Sequence, residues 1–316
     1  MKRLITILCA VLFTTSVVAG DNIKIVGSST VYPFTTVVSE KFGKGSKFGT
    51  PIVESTGTGG GMKLFCAGIG ANSPSVTNAS RAIKDTEKAL CKKNGVSWIE
   101  IAIGNDGIAF VNSLASAKVD FTPQQLWTAL AEHGPKPKMW NEIDPSLPHQ
   151  PIKIMIPPPT SGTRDAWNDL VMNRGCPPAI KNKDKKLCAK MREDGAAVEA
   201  GENDTLIVNK LVADETAYGI MGFSYLVNNL DKIQAATIAG KTISLDSIQD
   251  YSYPVARPLF VYFKREHLTQ VPGLKDFLKT YVSKRAIGPR GYLIDVGLVP
   301  LDTKTLNEML KRAKNQ

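Results

Sequence analysis

Short apolar stretches alternate with longer amphipathic ones along the chain. Asn22–Gly27, Pro51–Glu54, Trp98–Ile103, Ile108–Asn112 and Ile152–Ile156 are brief apolar, β-rich runs that predict strands. Val31, Phe34, Val37, Val38 and Phe42 recur at helical spacing, as do Trp167, Leu170 and Val171, so each set predicts an amphipathic helix. Thr122-Pro123 has the form of an N-cap followed by proline at the first helical position and predicts a helix over 124–131. Strands alternating with helices predict an α/β architecture. No internal repeat or long low-complexity run interrupts the pattern. One stretch stands apart. Arg174–Asn203 carries Pro177-Pro178, lysines 181, 183, 185, 186 and 190, and two cysteines. It predicts an exposed excursion tied down by its own disulfide, with its charges on a solvated face.

Composition narrows the class. The chain has 316 residues, 43% hydrophobic and 22% charged, which excludes a disordered or collagen-like protein. That length suggests two lobes or one large domain, with a core large enough to fold without a metal staple. Lys2 and Arg3 precede an apolar stretch, Leu4 to Phe13, and Val17-Val18-Ala19 gives a small-residue exit before Gly20. This layout predicts a secretory leader over residues 1–20 that is removed, and the run is too short for a permanent anchor. Cys9 has no small residue directly before it, so lipid attachment is not expected. Removal of the leader leaves Cys66, Cys91, Cys176 and Cys188. An even number in an exported protein predicts disulfides. Of the three pairings that four cysteines allow, loop closure favours the local ones, Cys66–Cys91 and Cys176–Cys188. No Cys-x-x-Cys spacing exists and the histidines are His133, His149 and His267, so no metal or other cofactor is expected.

One device occurs three times. Gly27-Ser28-Ser29-Thr30 follows a predicted strand and precedes the first amphipathic helix. Gly57-Thr58-Gly59-Gly60-Gly61 follows the next strand and precedes Met62–Gly68. Thr160-Ser161-Gly162-Thr163 follows Ile152–Ile156 and precedes Arg164–Met172. The first turn of a helix has N–H groups without intrahelical partners, and the helix dipole adds partial positive charge there. Glycine admits a ligand close to the backbone, and Ser or Thr adds a hydroxyl donor. Three such ends brought together would surround a small tetrahedral oxyanion. Capping alone is the ordinary use of these residues. Two arginines, Arg81 in Asn78-Ala79-Ser80-Arg81 and Arg164 directly after the third motif, add planar forks suited to phosphate-type oxygens. Micromolar binding needs about 8 kcal/mol. Four or five charge-assisted hydrogen bonds at ~1.5–3 kcal/mol each reach that before association costs.

At these residues the chain resembles a periplasmic phosphate-binding protein of an ABC transporter, the PstS family, over nearly the whole mature length. Gly27-Ser28-Ser29-Thr30-Val31-Tyr32-Pro33, Gly57-Thr58-Gly59-Gly60-Gly61 and Thr160-Ser161-Gly162-Thr163-Arg164 resemble its three phosphate loops. Asn105-Asp106-Gly107 and Tyr253-Pro254-Val255-Ala256-Arg257-Pro258-Leu259 resemble its two crossovers between lobes. Tyr218-Gly219-Ile220-Met221-Gly222-Phe223-Ser224-Tyr225 is similar to a segment of its second lobe. The resemblance implies a two-lobed α/β fold of type II, each lobe a central mixed sheet flanked by helices. Lobe one would hold residues 21–106 plus 257–316, and lobe two 107–256. It implies that Ser29, Thr30, Val31, Thr58, Ser161, Gly162 and Thr163 bind phosphate by hydroxyl or main-chain N–H. It further implies a periplasmic receptor that hands inorganic phosphate to permease subunits in the inner membrane. The chain departs from members that have aspartate at the position of Arg81 and arginine shortly before the third loop. Here that stretch is Pro157-Pro158-Pro159, and the sequence resembles the branch with arginine in the Ala-Ser-Arg motif.

Phosphate near neutral pH keeps a proton that sulfate lacks, so a buried carboxylate can select between them. Asp106, at a crossover that should face the cleft, is the expected acceptor. Asn-Asp-Gly is equally a common turn sequence. The basic balance, 39 Lys+Arg against 29 Asp+Glu, suits an anionic ligand or is general surface charge. Nucleic acid is not an expected partner, because the lysines lack interleaved stacking aromatics. The chain is expected to act as a monomer. A receptor for sulfate, molybdate, tungstate or a phosphonate shares the helix-end device and is the alternative. An exported phosphatase is disfavoured: the chain has no Gly-x-Ser-x-Gly, and no histidine adjoins a candidate serine.

Overall fold

The computed structural model describes residues 23–316 apart from 71, 160 and 201–203. The expected leader therefore lies outside the described residues. The chain order of the elements that build the sheet and the site is β1 Lys24–Gly27, α1 Tyr32–Gly45, β2 Ile52–Ser55, α2 Gly57–Phe65, β3 Val76–Ala79, α3 Asp85–Lys93 and β4 Trp98–Ser113. Then come β5 Asp120–Phe121, α4 Pro123–Leu130, β6 Ile154–Ile156, α5 Gly162–Trp167, β7 Ala197–Glu199, β8 Tyr218–Gly222, β9 Ile233–Ala235, β10 Thr237–Ile238 and β11 Ala256–Lys264.

One long mixed sheet runs in the order β2-β1-β3-β11-β4-β8-β6-β7, with β9 also on β4 and a small β10-β5 pair beside it. β1 pairs in parallel with β2 and β3, β11 runs antiparallel to β3 and β4, and β6 is parallel to β7 and β8. β4 ties the halves together. Its residues up to Gly107 pair with β11, and from Ile108 it pairs with β8. Two buried cores lie either side of that switch. One gathers residues from Ile23 to Ile103 and from Leu259 to Ala313. The other runs from Ile108 to Ala256, joined by Val299. The second is rich in aromatics: Phe110 stacks on Tyr218 at 4.8 Å and meets Phe121 edge-on at 5.3 Å.

Local chemistry explains most elements. Phe34, Val38 and Phe42 form the buried stripe of α1, and Pro33 sits in its first turn, where a missing N–H costs nothing. Thr122 caps α4 by accepting from Gln125 N, and the Gln125 side chain accepts from Thr122 N in return. Both disulfides form with the expected local pairing, Cys66–Cys91 and Cys176–Cys188. The second closes residues 176–188 within the stretch read as an excursion, where lysines 181, 183, 185, 186 and 190 are exposed.

Four elements differ from the sequence reading, the first being the helix expected over 62–68, which instead runs from Gly57 to Phe65 and takes the glycines into its first turns. The strands expected over 98–103 and 108–112 are one strand, β4, and Asn105-Asp106-Gly107 is extended rather than turned. Backbone pairing holds it so. Asp106 and Asn105 face Arg257 and Pro258 of β11, while Asn105 N donates to Val299 O at 2.7 Å and Val299 N returns to Asn105 O. β3 was not foreseen because it has no period-2 contrast: Val76, Thr77, Asn78 and Ala79 are all buried, squeezed between β1 and β11. The helix expected over 164–172 starts at Gly162 and loosens into a π-helical turn over Asn168–Met172 before ending at Gly175.

Candidate functional site

The site grows from the ends of three strands. β1 ends at Gly27, whose φ of +127° and tight approach to Asn78 exclude any side chain. The chain then enters α1 with Val31 at the N-cap and no side-chain cap. Among the described residues the N–H groups of Ser29, Thr30 and Val31 have no hydrogen-bond partner. α2 likewise begins after Thr56 without a side-chain cap. α5 begins at Ser161, whose Oγ accepts from Thr163 N at 3.2 Å. Thr160 lies outside the described residues.

These helix starts meet. Thr30 Oγ1 donates to Gly162 O at 3.2 Å, joining the first and third loops across the two halves. A Cβ on Gly162 would collide with Thr30 Cα, so glycine is what lets the loops approach. Thr58 Oγ1 accepts from Ser80 N at 3.1 Å and lies 3.0 Å from Ser80 Oγ. Ser80 Oγ in turn donates to Asp165 Oδ2, on α5, at 3.4 Å. The second loop is thus linked to the third through Ser80.

Arg257 stands at the centre. Sitting in register opposite Asp106, it places its guanidinium between the loops. Nη2 donates to Thr30 Oγ1 at 2.8 Å and to Gly162 O at 3.4 Å. Nε faces Asp106 Oδ2 and Nη1 faces Asp165 Oδ2, both at 3.4 Å. The side chains of Arg257 and Asp106 are 6% and 16% exposed, whereas Asp165 is 55% exposed at the mouth. Burial pushes the Asp106 carboxyl above the usual carboxylate range, Arg257 pulls it back, and nearby Asp165 adds to the rise.

The structure therefore links Thr30, Thr58, Asp106 and Gly162 through Arg257, Ser80 and Asp165, with Ser29, Val31, Ser161 and Thr163 beside them at the same helix starts. It does not bring in the two arginines singled out by motif. Arg81 turns to α3 and grips Glu87 with both ends of its fork, Nη2–Oε1 2.7 Å and Nη1–Oε2 2.9 Å. Arg164 is buried and donates from Nη1 to Pro157 O at 2.8 Å. The arginine in the gap is Arg257, which belongs to a crossover motif and to none of the three helix-start motifs. Its place at the second crossover marks it for the gap just as the first crossover marks Asp106. What the sequence lacked was the β4–β11 register that makes them neighbours.

Comparison with known proteins places nearly the whole chain among relatives of similar sequence and fold. Residues 14–285 match the PBP superfamily domain. The phosphate-binding protein PstS of Staphylococcus saprophyticus is 31% identical over 288 residues, which cover 89% of this chain and 81% of that protein. Protein SphX of Synechococcus elongatus is 28% identical over 296 residues, with 92% and 80% covered. The crystal structure of a possible phosphate binding protein from Planctomyces limnophilus is 27% identical with a TM-score of 0.78, over 94% of this chain and 98% of that one. With its lobes joined by β4 and β11 and its helix starts gathered around Arg257, the chain belongs to the PstS family of the PBP superfamily.

Proposed function

We propose that this protein is an exported receptor that closes around inorganic phosphate and delivers it to an ABC-type permease in the inner membrane. The observation that carries the reading is the convergence of three helix starts on Arg257 and Asp106 between the two cores. Unpartnered N–H groups and hydroxyls supply neutral donors, the dipoles supply partial positive charge, and Arg257 supplies a full one. The lobes are assigned as 21–106 plus 257–316 and 107–256, with closure by rotation at the two crossovers, and the receptor works as a monomer in the periplasm.

Ser29, Thr30, Val31, Thr58, Ser161, Gly162 and Thr163 bind the anion in this reading, together with Arg257. Arg81 and Arg164 have other partners. Asp106 accepts the proton that phosphate retains. Its burial makes it a stronger base than a surface aspartate, and a fully ionised guest would face it unrelieved. The site binds without chemistry: His267, the buried histidine, is committed to Ser75 Oγ and Ile69 O, each at 3.0 Å.

Isothermal titration of phosphate with sulfate as competitor tests the proposal. It predicts one phosphate per chain with micromolar or tighter affinity and sulfate displacing it only in large excess. Absence of phosphate heat, with strong binding of another oxyanion, would refute the ligand assignment.

A further inference from the structure

Arg257 lies between two acids, and each commits one oxygen to it. Asp106 Oδ2 faces its Nε at 3.4 Å, and Asp165 Oδ2 stands 3.4 Å from both its Nη1 and Ser80 Oγ. Oδ1 of each carboxylate makes no hydrogen bond among the described residues, and neither belongs to the buried polar atoms left without a partner. The two side chains keep 16% and 55% of their exposure. Each acid thus keeps a reachable acceptor oxygen. Asp106 comes from β4 and Asp165 from α5, so the meeting of α5 with Ser80 and Arg257 is what sets both acids on one gap.

Charge and hydrogen bonding then select the ionic form of the guest. Two carboxylates against one guanidinium leave an excess of one negative charge. The groups nearby do not cancel it. α1 brings Tyr32 in its first turn, and α2 brings no titratable group there. Arg81 is paired with Glu87, and Asp169, one turn beyond Asp165, acts on Arg81. Arg164 donates to Pro157 O. The charges that act on Asp106 are those of Arg257 and Asp165. A guest that takes over the Arg257 N–H groups sits between the two acids. Dibasic phosphate brings two charges and a single O–H, which leaves one carboxylate against a bare phosphate oxygen. Monobasic phosphate brings one charge and an O–H for each acid. An acceptor left unanswered is what makes a polar site reject a ligand of nearly the same shape.

We propose that Asp165 is a second proton acceptor of the cleft beside Asp106, so that the guest is monobasic phosphate with one O–H on each acid. This rests on the phosphate reading of the gap and narrows it to one ionic form. Sulfate, which has no O–H, leaves both acids unanswered.

Calorimetric titration of the full mature chain with phosphate at about pH 8.5, repeated in buffers of different ionisation enthalpy, counts the protons that accompany binding. Free phosphate is dibasic there, so forming the bound monobasic ion draws one proton from the buffer. The wild type takes up about one proton per phosphate, and its affinity falls about tenfold for each pH unit above the second ionisation of phosphate. Asp165→Asn offers an amide N–H to an unprotonated oxygen, so it takes up none and its affinity stays level over the same range. Asp169→Asn, a turn further along, leaves the count at one. Circular dichroism melts check that the variants are folded, as expected for substitutions at exposed side chains. Phosphate binding without proton uptake in the wild type, uptake unchanged in Asp165→Asn, or an equal loss in Asp169→Asn overturns this proposal and leaves the receptor reading standing. Absence of phosphate binding altogether refutes the receptor reading and this proposal with it.

Discussion

The gap around Arg257 between the two cores and the flank around Cys66–Cys91 both gather buried or half-buried cations, yet they treat them differently. On the flank each charge has close protein partners. Arg81 is held by Glu87 through two short bonds. Lys264 donates to Gly68 O at 2.6 Å and to Ser73 Oγ at 2.8 Å, and its Nζ sits over the Phe65 ring. In the cleft the one short contact of Arg257 is to a hydroxyl, and its carboxylate contacts are all at 3.4 Å and divided between Asp106 and Asp165. A fork already filled by its own carboxylate has little to offer a guest. A fork shared among long contacts, beside open N–H groups, can exchange them for the oxygens of a bound anion at small cost.

Breaking the cleft side of this contrast gives the largest expected effect. Arg257→Met removes the central positive charge and leaves Asp106 and Asp165 facing the guest, so calorimetry should find phosphate affinity reduced at least about a hundredfold. Asp106→Asn keeps the shape but removes the acceptor, and the preference for phosphate over sulfate should fall by about tenfold or more in competition titrations. Thr163→Val deletes one hydroxyl while sparing the main-chain donors, and should weaken phosphate binding by roughly five- to twentyfold.

The flank side predicts effects on folding instead. Burial holds the folded pKa of Lys264 near 8, below its ordinary 10.5. Between those values the unfolded chain binds more protons, so this group makes stability rise with pH from about 8 toward 10. Urea unfolding at both ends of that window should show the rise in the wild type and a flatter profile in Lys264→Met. Arg81→Ala should be the mildest change. It should cost about 1 kcal/mol or less in the same unfolding assay and shift phosphate affinity by no more than about threefold. A large loss of binding in that variant would erase the distinction between the two regions.

Much of this was legible in the chain itself. Helical spacing located α1, the Thr122-Pro123 cap located α4, and loop closure favoured the pairing of all four cysteines that form the disulfides. The helix-start motifs located the three loops, because each carries its own Gly and hydroxyl chemistry within a few residues. Long-range pairing was the blind spot. Asn105-Asp106-Gly107 has the composition of a turn, and only β11 on one side and Val299 on the other hold it straight. Val76–Ala79 hides its strand character because both of its faces are buried. Arg257 could not be told from Arg81 or Arg164 by composition. What separates them is which carboxylate the fold brings to each: Glu87 six residues away for Arg81, Asp106 across a strand pair for Arg257, and none in contact with Arg164 among the described residues.

A crystal structure of the phosphate complex is the most direct test of the account. It predicts tetrahedral density in the gap between the lobes, within hydrogen-bond distance of Thr30, the Ser161–Thr163 loop and the Arg257 guanidinium, with one oxygen on Asp106. Phosphate bound instead against Arg81 or Arg164, with the gap between the loops unoccupied, would contradict it.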